Sequence, residues 1–131
     1  MARYVIDLAC AVKIVDAGFQ IASKHEILAP TLLRSQVLDH LYLRTLSGEL
    51  TEADALSMHA HFGKLKFRYL GDAVLRRRAW TIARQLGMPS TFEAEYIALT
   101  QLQGEALVAE DKRLASVANK VVSVKSFEAL D

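Results

Sequence analysis

Three acidic residues stand where a short apolar run ends or a helix begins. Asp7 follows Tyr4-Val5-Ile6, Glu93 falls in the opening turn of Phe92–Leu99, and Asp111 comes soon after Ala106-Leu107-Val108. Chain ends of this kind can collect carboxylates at one edge of a parallel sheet, where α/β proteins usually place their sites. Grouped carboxylates repel one another and hold protons unless a cation neutralises them. Hard oxygen donors select Mg²⁺ or Mn²⁺, whereas zinc sites usually draw on Cys or His. The chemistry suggested is a divalent-metal site on Asp7, Glu93 and Asp111.

Each acid also has a purely structural use. Asp7 can cap a first helix, Asp72 and Asp111 stand where N-caps belong, and Ser90-Thr91-Phe92-Glu93 matches a capping box. Taken singly, capping is the commoner employment of such residues. Asp7 is the hardest to dismiss in this way, because a carboxylate between Val5-Ile6 and Leu8-Ala9-Cys10 is costly unless paired or bound to a cation. Other chemistries find no support. His59 and His61 are two apart and point to different sides of a helix, His25 and His40 are isolated, and surface or partly buried positions are expected for all four. No H-E-x-x-H, G-x-S-x-G, P-loop or G-x-G-x-x-G is present. Cys10 is the only cysteine, which excludes an intramolecular disulfide and fits a reducing cytoplasm. Its apolar setting predicts a buried, inert thiol.

The elements that must position these residues alternate along the chain. Tyr4–Ile6 reads as a buried strand, Ala9–Ala17 as a helix stopping near Gly18, and Glu26–Leu28 as a second strand closed by Pro30. A long helix is expected from there to about Ser47, with Leu33, Val37 and Leu41 inward. Thr51 opens another, running to Phe62. Lys66–Leu70 reads as an edge strand, and the stripe Leu75, Ala79, Ile82, Ala83, Leu86 as a helix stopped by Gly87 and Pro89. The next helix carries Phe92, Tyr96 and Leu99 on one face and ends at Gly104. Ala106–Val108 is a strand, Asp111 opens a short helix, and Val121-Val122 is expected to be the last strand. Short apolar strands alternating with helices predict a parallel sheet covered on both faces.

With 131 residues, the chain is expected to form a single domain spanning 1–131, large enough to bury its core without disulfides. The opening MARYVIDLACA has a superficial likeness to a signal peptide, but Asp7 interrupts its apolar core. No segment reaches the roughly 18 apolar residues of a membrane span, so a soluble, cytoplasmic protein is expected. A net charge of +1 excludes a uniformly basic mode of nucleic-acid binding and leaves only local clusters for phosphate. These are Lys64, Lys66 and Arg68; Arg76, Arg77 and Arg78; and Lys112 and Arg113. A solvated surface is their default use. Arg34 and Lys112, close in sequence to candidate site residues, are the better candidates for contacting phosphate. Trp80 is expected in the core or an interface rather than as a base-stacking platform. Leu41, Leu43 and Leu46 either meet a partner or pack inside.

YVIDLA, APTLLRSQVLDHLY and FEAEYIALTQLQGEALVAEDKRLASVA, in that order and spacing, together resemble the PIN-domain family, and more narrowly the VapC-type toxins of bacterial toxin–antitoxin pairs. The resemblance covers nearly the whole chain. It implies a three-layer α/β/α sandwich around a mostly parallel sheet, and a ribonuclease whose acids hold Mg²⁺ or Mn²⁺. It further implies a homodimer and a VapB-type antitoxin whose tail blocks the acidic groove. Carried onto this sequence, Asp7, Glu93 and Asp111 are the metal ligands.

The chain departs from the family pattern at several positions. Gln36 occupies a usual Glu position and contributes no charge. Asp39, about one turn further on, is the alternative for completing the shell, and Glu95 is a second accessory candidate. Glu93 stands where Asp is usual, and Ala9 and Ala109 stand where hydroxyls are often found. These changes weaken metal binding or the groups around it. The rival to an active nuclease is therefore a catalytically degenerate PIN domain that binds RNA or an antitoxin. A weaker rival is an unrelated α/β domain whose acids are only caps.

Overall fold

The computed structural model describes residues 2–131. The elements are β1 (Ala2–Ile6), α1 (Leu8–Ala17), β2 (His25–Pro30), α2 (Leu32–Leu46), α3 (Glu52–Gly63), β3 (Phe67–Leu70), α4 (Ala73–Leu86), α5 (Thr91–Gln103), β4 (Ala106–Val108), α6 (Lys112–Ala118) and β5 (Val124–Lys125), with a final 3₁₀ turn at Phe127–Leu130. The five strands form one parallel sheet in the order β3-β2-β1-β4-β5. The molecule is a three-layer α/β/α sandwich, as the alternation of short strands and helices requires.

The central strands are buried along nearly their whole length: Tyr4–Ile6 in β1, Ile27–Ala29 in β2 and Ala106–Val108 in β4. Apolar runs without polar alternation are what a sheet covered on both faces needs. α1, α2 and α3 pack against one another, while α4 and α5 form a hairpin whose second helix crosses β1, β2 and β4. α5 is accordingly apolar around most of its circumference, with Ala94, Tyr96, Ile97, Ala98, Leu99 and Thr100 all buried. Gly18 and Gly87 end α1 and α4 at φ of 62° and 65°, left-handed positions that favour glycine.

Two details differ from the sequence reading. Val121 and Val122 do not form the last strand: their N–H groups both donate to Ala118 O, winding them into the turn that ends α6, and the strand follows at Val124–Lys125. Of the two places expected for Trp80, core or interface, the core is ruled out: it is 64% exposed on α4, whose inner face is filled by Leu75, Ala79, Ile82 and Ala83.

The order of the strands fixes where a site can form. The chain runs outward from β1 through β2 to β3, then returns to the other side of β1 to lay down β4 and β5. The crevice beyond the carboxyl ends of β1 and β4 is therefore the switch point at which open α/β sheets bind ligands. Tyr4, Val5 and Ile6 pair with Ala106, Leu107 and Val108, and the ladder continues into Asp7, whose N–H donates to Val108 O at 3.2 Å. Residues 7 and 109–111 emerge side by side.

Candidate carboxylate site at the sheet edge

A cavity of about 330 Å³ opens at this switch point, lined by Asp7, Leu8, Ala9, Val12, Gln36, His40, Glu93, Tyr96, Asp111 and Leu114. Four elements contribute. Asp7 precedes α1, Gln36 and His40 lie one turn apart on α2, Glu93 and Tyr96 come from the first half of α5, and Asp111 precedes α6. Residues separated by more than a hundred positions meet here because β1 and β4 are sheet neighbours.

Asp7 is the best-held member. It is 1% exposed, and its Oδ1 accepts from the N–H of Cys10 at 2.7 Å and of Glu110 at 3.3 Å, while Oδ2 accepts from Asp111 N–H at 3.0 Å. The carboxylate thus caps α1 and also ties the β4–α6 loop to β1. Burial pushes its carboxyl above the usual range; the three N–H groups oppose that rise, and the neighbouring Asp111 charge adds to it. No cationic side chain pairs with it among the described residues.

Asp111 caps α6, with Oδ1 accepting from Arg113 N–H at 2.9 Å and Leu114 N–H at 3.0 Å. Glu93 does not form the capping box expected with Ser90. The Ser90 hydroxyl accepts from Phe92 N–H instead, and the Glu93 carboxylate turns to the Arg113 guanidinium at 3.2 and 3.3 Å. The pull of a full charge exceeds that of one backbone amide. Gln36 Oε1 accepts from the Tyr96 hydroxyl at 2.5 Å. With these partners in place, no three His, Cys, Asp or Glu side chains among the described residues form a group able to hold a metal ion.

The remaining candidates lie elsewhere. Asp39 is exposed on α2 and outside the cavity, turned about 100° round the helix from its neighbour His40, which lines it. Glu95 also stands outside, its carboxyl pushed up by partial burial and drawn down by Arg76. Glu110, the sequence neighbour of Asp111, is engaged by Lys13 at 2.9 Å. Arg34 lies over the Tyr69 ring at 4.6 Å from its centroid, and Lys112 is exposed in the first turn of α6 beside Asp111. Cys10 is buried and free, as expected. The sequence reading missed His40 and Tyr96 as cavity residues. The i, i+4 spacing of Gln36 and His40 was the available signal.

No protein-family model matches the chain, and no curated protein does. Among solved structures it is similar to the crystal structure of PAE2754 from Pyrobaculum aerophilum, with a TM-score of 0.80 and 19% sequence identity over 98% of this chain and 92% of that one. At that identity the likeness establishes a shared fold. No helix among the described residues is long and apolar enough to cross a membrane.

Proposed function

We propose that this chain is a divalent-metal-dependent ribonuclease of the PIN type, the toxin of a VapC-like pair. The observation that carries the reading is the convergence of Asp7, Glu93 and Asp111 on one cavity at the sheet's switch point. The donor chemistry fits Mg²⁺ or Mn²⁺: the oxygens are hard, and Asp7 is a buried carboxylate without a cationic partner. Mg²⁺ is commonly held by one or two carboxylates and keeps several waters, so Asp7 and Asp111 suffice as direct ligands. Glu93 would join them only on leaving Arg113. A bound dication would supply a nucleophilic water and offset charge on the phosphorane-like transition state. Asp7, anchored by three backbone N–H groups, keeps the acidic wall in place while substrate enters past α2 and α6. Arg34 and Lys112 are the proposed phosphate contacts outside the cavity.

The test is Mn²⁺-dependent cleavage of single-stranded and structured RNA. Wild type is expected to cleave and Asp7→Asn to lose about 100-fold or more, the loss of several kcal/mol of transition-state stabilisation. Equal cleavage by both proteins would remove Asp7 from the site.

Two contacts favour the second reading, a degenerate domain that binds RNA or an antitoxin without cutting. Glu93 is held by Arg113, and Gln36 brings no charge. Arg113→Gln separates the readings. If the ion pair merely competes with metal, freeing Glu93 is expected to tighten Mn²⁺ binding about fivefold, as exposed pairs are weak. Calorimetric titration of both proteins measures this, and no heat from either favours the binding module.

A homodimer and a VapB-type antitoxin belong to the same proposal. Support for a protein partner comes from Leu38, Tyr42 and Leu46 of α2 and Leu56 of α3, large exposed apolar side chains that line one groove. Leu41, by contrast, is buried in the core.

A further inference from the structure

Gln36 and Tyr96 line the same cavity as the carboxylates with different chemistry. Tyr96 is 2% exposed, and a buried hydroxyl needs an acceptor. Its acceptor is Gln36 Oε1 at 2.5 Å. Burial, reinforced by the nearby Asp7 and Glu95 charges, holds the phenol protonated far above its usual range. It therefore donates at any working pH. A hydroxyl that must donate fixes which end of the Gln36 amide it meets. The oxygen turns inward to Tyr96, and the –NH₂ group, which has no protein partner among the described residues, is free to face the cavity.

A side chain so oriented is a poor cation ligand and a good anion donor. Deepening the phosphodiesterase reading, on which this inference rests, we propose that Gln36 positions substrate by donating its amide N–H to a non-bridging phosphate oxygen, with Tyr96 locking the amide's orientation. The cavity then has two working sides. Carboxylates of β1, α5 and β4 origin attract a cation, and the α2 amide meets the phosphate that the cation draws in. Glutamine at this position is thus a change of role and not a weakened carboxylate. Gln36 is a positioning residue in this scheme, and Tyr96 acts only through it.

The test uses Gln36→Met, which keeps length and removes the donor, together with Tyr96→Phe and Gln36→Glu. Mn²⁺ affinity is measured by calorimetry, and RNA affinity by anisotropy of a labelled phosphorothioate oligoribonucleotide in Mn²⁺. Gln36→Met is expected to leave Mn²⁺ affinity within about twofold and to weaken RNA binding about tenfold, the value of one hydrogen bond to a charged group. Tyr96→Phe should weaken RNA binding by about threefold, since the amide is unlocked but retained. Gln36→Glu should weaken it more than Gln36→Met, because a carboxylate repels phosphate. The losses should be equal for oligo-U and oligo-A, as phosphate contacts carry no sequence information. A Gln36→Met protein that loses Mn²⁺ affinity in step with RNA affinity would make Gln36 a metal ligand. A loss confined to one base would move the contact to a nucleobase. Either result overturns the proposal and leaves the metal site standing. A wild type that binds neither Mn²⁺ nor RNA removes both.

Discussion

Asp7→Ala is expected to destabilise the protein by about 3 kcal/mol or more and to lower Tm by about 10 °C. Loss of the helix cap alone costs about 1 kcal/mol. The larger share comes from Glu110 and Asp111, whose N–H groups also end on this carboxylate and would be left without an acceptor, at about 1–3 kcal/mol each where buried. The pH dependence runs in an unusual direction for a carboxylate. Its folded pKa is raised above the ordinary 3.8 by burial, so the folded state binds the proton more tightly than the unfolded chain. The cost of ionising Asp7 is absent below the unfolded pKa and accumulates as pH rises through the folded one. Stability from this group is therefore greatest in acid and falls toward neutrality, a slope Asp7→Asn should lack. A dication should recover the loss near neutral pH by binding only the folded form. Thermal melts of wild type and both variants, across that range with and without Mn²⁺, check each part. A Tm for Asp7→Ala within a degree or two of wild type would contradict the assigned hydrogen bonds.

Asp111 offers the cleanest separation between capping and catalysis. Asparagine caps helices as well as aspartate, so Asp111→Asn should preserve α6 and leave Tm nearly unchanged. Asp111→Ala gives up the bonds to Arg113 and Leu114 N–H and should cost about 1 kcal/mol. If the carboxylate holds a metal, both variants lose Mn²⁺-dependent cleavage by about 100-fold, equivalent to about 3 kcal/mol in the barrier. An asparagine variant as active as wild type would reduce Asp111 to a cap. Paired melts and cleavage rates decide the matter.

Much of the fold was legible because its signals are local. The apolar runs at Tyr4–Ile6 and Ala106–Val108, the stripe of α4, the N-cap positions of Asp7, Asp72 and Asp111, and the glycine stops at 18 and 87 each depend on a few neighbouring residues. Strand order is not a local property: nothing in the composition of β4 says that it pairs with β1 rather than β3. The candidate site divides along the same line. The acids could be singled out as strand-end and helix-start residues. Their partners could not, because Arg113 reaches Glu93 across 20 positions and Tyr96 reaches Gln36 across 60. The Ser90–Glu93 spacing pointed to a capping box, and a guanidinium brought in by the tertiary fold outcompeted it. Val121-Val122 misled for a related reason, since β-branched residues suit a strand, but the backbone there was already committed to closing α6.

The pairing of β1 with β4 also bears on the order in which the chain can assemble. The loop that the Asp7 carboxylate fastens lies 103 and 104 positions downstream. Nascent chains lacking β4 have no cavity and leave the inner edge of β1 open. The acids share a surface only after β4 has joined β1, a non-local contact of the kind that chains make slowly.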